Sequence, residues 1–129
     1  MALKVPKKKY VDERNKWVKH PINTWNSSYT NPSGAFYINE ALRLCRLSVY
    51  TNSTTGNIDG ATLCEIPQEV RNIIPNDTIN LYGGSSVTIP TEDASRSIYL
   101  QLRGGLVYTI THRSNYVVYH LGCDVMFNY

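Results

Sequence analysis

Beyond Lys19 the 129-residue chain contains no lysine at all. Its positive charge is confined accordingly: in the first twenty residues six lysines and Arg14 face only Asp12 and Glu13, a net of +5, which leaves −2 for the rest of a chain whose total is +3. Basicity therefore belongs to the N-terminal segment, and whole-chain charge is no argument for nucleic-acid binding. Phenylalanine is scarce, two residues against ten tyrosines, a balance suited to half-wet surfaces, where an apolar ring with a polar tip fits. Cysteine is limited to Cys45, Cys64 and Cys123. An odd number without close pairs excludes a disulfide framework and a zinc cage and leaves buried thiols. Long apolar runs are missing too: charges interrupt the opening "MALKVPKKKYVDERNKWVKHP" every few residues, so a soluble chain made without a signal is expected, with no membrane partner. There is no internal repeat and no low-complexity tract, and the length fits one domain with a short appendage.

What is present divides in two. Residues 1–34 are rich in Lys, Asn, Ser, Thr and Pro, and Trp17 and Trp25 stand outside any periodic pattern. This segment reads as an extended basic N-terminal arm. The spacing of Tyr10, Arg14 and Trp17 allows a short helix as far as Lys19, which Pro21 would end. Lys7, Lys8 and Lys9 are expected to dock the arm by charge, and Trp17 and Trp25 to anchor it, since interfaces favour such rings. A solvated charged tail is the competing reading.

Residues 35–129 consist of short segments rich in β-branched and aromatic residues, punctuated by Gly, Asn, Pro and Asp. Strands are expected at Phe36–Ile38, Leu42–Tyr50, Ala61–Ile66, Thr78–Tyr82, Val87–Ile89, Ser97–Arg103, Leu106–His112 and Tyr116–Phe127. The fold class is all-β, an antiparallel β-sandwich of jelly-roll-like kind. In "SIYLQLRGGLVYTITH" the apolar pattern selects a three-residue loop, Arg103 to Gly105, which pairs Leu102 with Leu106, Leu100 with Tyr108 and Ile98 with Ile110. In the last strand Leu121, Cys123, Val125 and Phe127 share one face. His120, Asp124 and Asn128 share the other, where Val118 and Met126 imply partial cover, as by a neighbouring subunit. Leu42–Tyr50 changes phase, which a bulge near Cys45 or burial on both faces would explain. Pro67 and Pro75 bracket a crossover at an end of the sandwich.

Chemical signatures are few. In "HLGCD" His120 and Cys123 are three apart on a strand and point to opposite faces, so they do not form a base and nucleophile pair. His112, His120 and Asp124 lack the spacing that would define a metal site. Neither Gly83-Gly84 nor Gly104-Gly105 opens a helix or precedes a Lys-Ser/Thr, so both are turns rather than phosphate loops. Asn-x-Ser/Thr triplets at Asn26, Asn52 and Asn76 matter only in a secreted chain. No catalytic residue, metal or cofactor is expected, nucleic acid is an unlikely partner for "VPKKKY", and an enzyme ranks last among the functions considered. Tyr50, Tyr82, Tyr108 and Tyr116 would be the stacking rings of a carbohydrate-binding domain.

The pieces "GAFYINEALRLCRLSVYT", "GATLCEIPQEVRN", "TINLYGGSSVTI", "SIYLQLRGGLVYTI" and "YVVYHLGCDVMFNY", from Gly34 to Tyr129, together resemble the C-terminal β-sandwich module of bacteriophage tail-fibre, baseplate and head-fibre proteins. The crossover departs from that pattern by two extra residues before Pro67 and by Asn72 where the family has a second proline. The resemblance implies a non-enzymatic virion protein, usually a homotrimer, bound to other virion proteins and displaying a surface for a host cell-wall saccharide. A structural decoration or plug protein of the virion and a cellular carbohydrate-binding domain are the alternatives, because fold does not determine function.

Overall fold

The computed structural model of the chain describes residues 16–52, 60–82, 99–110 and 120–129, together with the backbone of 85–88. Among them are nine strands: β1 (Val18–Pro21), β2 (Ser33–Asn39), β3 (Leu44–Thr51), β4 (Ala61–Glu65), β5 (Ile79–Leu81), β6 (Ser85–Thr88), β7 (Tyr99–Arg103), β8 (Leu106–Ile110) and β9 (His120–Asn128). One helical turn, α1 (Gln68–Arg71), lies between β4 and β5. The strands form two antiparallel sheets, a five-stranded one in the order β1-β2-β3-β9-β6 and a four-stranded one in the order β4-β8-β7-β5. One apolar cluster receives side chains from both sheets, among them Phe36, Leu47 and Leu121 from the first and Leu63, Leu100 and Val107 from the second. The all-β class and the two-layer arrangement follow.

Alternation governs which side chains enter that cluster. In β3, Cys45, Leu47, Val49 and Thr51 are buried while Arg46 and Tyr50 are exposed; in β9, Leu121 and Cys123 are buried while His120, Asp124 and Met126 are exposed. The face assignment of the last strand is thus as the sequence pattern has it. The phase change before β3 has a different cause from those expected. Leu42 is exposed in a turn whose Arg43 has φ 52°, the Asn39 side chain accepts a hydrogen bond from the Leu42 N–H at 3.1 Å, and regular alternation starts only at Leu44. Neither a bulge at Cys45 nor two-sided burial is involved.

The hairpin of β7 and β8 has a two-residue loop, not three. Arg103 pairs with Leu106, Leu102 with Val107, Gln101 with Tyr108 and Leu100 with Thr109, and the two loop residues Gly104 and Gly105 have φ 57° and 80°. Positive φ at both positions gives a turn whose twist matches that of the flanking strands, and only glycine adopts it without strain. Turn chemistry outweighed the apolar count because the buried face accepts Thr109, whose hydroxyl donates to the Ala61 carbonyl at 3.3 Å.

The segment expected to be an arm enters the body well before residue 34. β1 pairs along its length with β2, from Val18 opposite Ile38 to Pro21 opposite Ala35. The chain then leaves the five-stranded sheet and runs beside β4, where Asn26 N–H donates to the Leu63 carbonyl and Glu65 N–H to the Thr24 carbonyl, both at 3.0 Å. Ile22 and Tyr29 are buried in the common core, so Val18 onward is sandwich rather than appendage, and Val18 and Lys19 are in a strand rather than a helix. Residues 1–15 lie outside the described part.

Pro67 ends the β4 ladder, and the crossover adds what the sequence pattern did not announce, the single turn α1. It places Val70 and Ile74 one turn apart, both buried, as a plug at that end of the sandwich. The Ile66 N–H donates to the Gly105 carbonyl at 2.9 Å, tying the crossover to the hairpin turn.

Close packing inside β2 yields a stability prediction. A Cβ at Gly34 would lie 2.6 Å from the Ser48 carbonyl oxygen and 2.8 Å from Val49 Cγ1. Gly34→Ala is expected to lower stability by about 1–3 kcal/mol through overpacking, read as a lower urea midpoint at unchanged slope.

Candidate functional site

Side chains excluded from the core by alternation make up two outer faces of different chemistry. On the five-stranded sheet the register lines up Lys19 with Tyr37, Tyr37 with Arg46 and Arg46 with Met126, one residue from each of four strands. Trp17, just ahead of β1, joins Tyr37, Arg46 and Met126 around a cleft of about 250 Å³. Trp17 is 39% and Met126 53% exposed, an uncommon display of large apolar groups on an otherwise polar face.

Arg46 and Asp124 on this face are fastened to each other. Arg46 makes a two-pronged contact with Asp124, Nε to Oδ1 at 2.7 Å and Nη2 to Oδ2 at 2.6 Å, and its guanidinium lies 5.6 Å from the Tyr37 ring centre. The hydrogen bonds from Arg46 hold the Asp124 carboxyl below its ordinary range. Farther along the face, Tyr50 stacks on His120 with ring centres 6.3 Å apart, and its hydroxyl lies 3.3 Å from His120 Nδ1.

The outer face of the four-stranded sheet is built from amides, tyrosines and a balanced pair of charges. One row reads Thr62, Tyr108, Gln101, Asn80 and the next Glu65, Leu106, Arg103. Gln101 Nε2 donates to Asn80 Oδ1 at 2.8 Å. The Arg103 guanidinium sits 4.4 Å over the Tyr108 ring. Tyr82, 68% exposed, tilts against Tyr99 with ring centres 4.7 Å apart. At the β4 edge a cleft of about 240 Å³ opens between Trp25, Thr24, Thr62, Glu65 and Leu106.

The residues expected to act as docking groups are not gathered in one patch. Lys7, Lys8 and Lys9 lie outside the described residues. Trp17 borders the face of the five-stranded sheet, whereas Trp25 bridges to Cys64 of the other sheet, packs against the core and donates from its indole to the Ile22 carbonyl at 3.2 Å. Its ring serves the fold. Tyr50 is on the outer face of the first sheet and Tyr82 and Tyr108 are on that of the second, while Tyr116 and His112 lie outside the described residues.

Of the groups considered for catalysis, His120 and Cys123 do face opposite ways: His120 is exposed beside Tyr50, and Cys123 is buried. Asp124 is held by Arg46 rather than turned to His120. All three cysteines are buried thiols, and burial pushes Cys45 and Cys64 up to about 12, with the nearby Glu65 adding to the rise at Cys64. Among the described residues no cluster of His, Cys, Asp and Glu is suited to hold a metal ion, and no helix is long and apolar enough to cross a membrane.

Sequence reasoning missed the row from Thr62 to Asn80. The signal was there, in the Gly-Gly dipeptide that favours a two-residue turn; the three-residue alternative turns Tyr108 toward the core and dissolves the row. No family model, curated protein or solved structure matches the chain.

Two measurements probe these environments. The Asp124 carboxyl, followed by NMR titration, should ionise at lower pH than an ordinary aspartate and move back up in Arg46→Ala. With its folded value depressed, the pair's contribution to stability is present above the unfolded-state value and is lost as pH falls through the folded one. Cysteine accessibility gives the second: at pH 8 a thiol reagent should label none of the three in the native protein and all three in denaturant, because the thiolate is the reactive form and burial disfavours it.

Proposed function

We propose that the chain is a non-enzymatic display module of a bacteriophage virion, of the fibre or receptor-binding kind. Its N-terminal segment docks on other virion proteins through Lys7, Lys8, Lys9 and the Trp17 region, and its sandwich assembles as a trimer that meets a host surface saccharide. The observation that carries this reading is the cluster that the exposed Trp17 and Met126 form with the half-buried Tyr37 on the five-stranded sheet. A sandwich whose core is already complete gains nothing from leaving such groups in water, and burying them against another copy of the chain removes that apolar surface. The buried thiols and the separation of His120 from Cys123 support a binding role over catalysis. The jelly-roll-like connectivity and an anchoring role for residues 1–15 belong to the same proposal.

The tyrosines on the four-stranded sheet favour a second reading, a cellular carbohydrate-binding domain acting as a monomer. Light scattering behind a sizing column separates the two. The proposal expects a species of three times 14.6 kDa for the full chain and a monomer for Met126→Arg, which places a charge in the middle of the cluster. A wild-type monomer at every concentration tested would remove the fibre-type reading in favour of the second.

A further inference from the structure

We infer that the outer face of the four-stranded sheet is a binding surface for a neutral polysaccharide, read by the amide pair Gln101 and Asn80 and seated on the Tyr82 and Tyr99 rings. The inference rests on the reading of the chain as a module that engages a surface saccharide, and it assigns that role to a face and a ligand class.

The row Thr62, Tyr108, Gln101, Asn80 contributes one side chain from each strand of the sheet. With strands about 4.8 Å apart it spans roughly 14 Å, enough to run beneath more than one sugar ring. A polyhydroxylated ligand presents donors and acceptors together and needs both in return. Primary amides have both in one group. The Gln101 to Asn80 hydrogen bond uses one amide proton and one carbonyl lone pair, which fixes the two side chains relative to each other and leaves the Gln101 oxygen and the Asn80 NH₂ to face the ligand. Preorganisation of this kind lowers the entropy lost on binding.

Sugar rings also carry apolar C–H faces, which aromatic rings accept. Tyr82 is the most exposed large apolar residue in the described structure, and its tilt against Tyr99 holds its ring in place with little conformational freedom left to lose. Arg103 similarly braces Tyr108 by lying over its ring.

Charge selects among ligands. Among the described residues the face carries one cation, Arg103, and one anion, Glu65, at the two ends of a single row. A nucleic acid or an acidic polysaccharide requires an excess of cations, and the described residues of this face have none. A protein partner is better served by the Trp17, Tyr37 and Met126 face, where large apolar groups are exposed. The balanced, amide-bearing face complements an uncharged, hydroxyl-rich polymer.

The test is native affinity electrophoresis of the full chain through gels cast with soluble neutral polysaccharides (a β-1,4-glucan, an α-1,4-glucan, a mannan and a galactan), with heparin and polygalacturonate as charged probes. The expected result is retardation by at least one neutral polymer and by neither charged one. Gln101→Ala and Tyr82→Ala should each weaken it roughly tenfold or more, the loss of about 1.4 kcal/mol or greater. The two weakening substitutions are at a half-buried position in β7 and an exposed one just after β5, and amide shift mapping of the wild-type protein with the retarding polymer should independently mark Asn80, Gln101 and Tyr108. Retardation by no neutral polymer, retardation by the charged probes alone, or shifts centred on Tyr37 and Arg46 would each overturn the inference. A trimer that binds no polysaccharide would leave the display-module reading standing without it, and a monomer that binds through Gln101 would do the reverse.

Discussion

The antiparallel ladder between β3 and β9 is the constraint on which the rest of the molecule depends. Eight consecutive pairs, from Leu44 opposite Asn128 to Thr51 opposite Leu121, join the middle of the chain to its C-terminal end. The ladder places β9 inside the five-stranded sheet rather than at an edge, with β6 on its far side. It sets Cys45, Leu47 and Val49 beside Phe127, Val125 and Cys123 on the inner face, and by the same alternation brings Arg46, Tyr50, His120 and Asp124 together on the outer one. The C-terminus is fastened at its last residue, where Tyr129 N–H donates to the Arg43 carbonyl at 3.1 Å and Arg43 Nε donates back to a Tyr129 main-chain oxygen at 2.9 Å. Such long-range pairing closes a large loop at an entropic cost that only the buried apolar surface offsets.

Given that ladder, the two sheets solve one packing problem and leave two different exteriors. Residues 22–30 close one side of the sandwich by running from β1 to the β4 edge and back, and the α1 crossover plugs an end with Val70 and Ile74. What remains for function is surface. One surface has a Trp, a Tyr and a Met around a clamped Arg–Asp pair, a set suited to apolar contact with another folded chain. The other has tyrosines, a linked amide pair and balanced charge, a set suited to a polar, uncharged ligand.

The absence of catalytic pairing among the groups considered has a structural cause as well. On strands, neighbours three apart in sequence are on opposite sides of the sheet, and the core claims the cysteines for packing. Burial raises the Cys45 and Cys64 thiols far above neutral pH, the opposite of what a nucleophile requires. On the outer face of the five-stranded sheet Arg46 and Asp124 are paired with each other, and the pair orients that surface.

Much of the architecture was legible in the residues themselves. Alternation in β3 and β9, the punctuation by Gly, Pro and Asn, and the Gly-Gly turn determine an all-β chain, most of its strands and the buried partner set of the last one, because backbone geometry alone sends successive side chains to opposite faces. Two things were decided only in the folded molecule, and a third, which the Gly-Gly dipeptide signals, was settled there against the apolar pattern. The short run Val18–Pro21 has no strand signature of its own and becomes one by pairing with β2; Trp25, which looks like an unpartnered anchor in the sequence, finds its surface on the protein's own core; and the β7–β8 register follows from a core willing to bury Thr109 once its hydroxyl has a carbonyl to bond. Each depends on which distant strand supplies the neighbour, and so does the site: Gln101 meets Asn80, and Arg46 meets Asp124, across strands far apart in the chain, where local pattern carries no information.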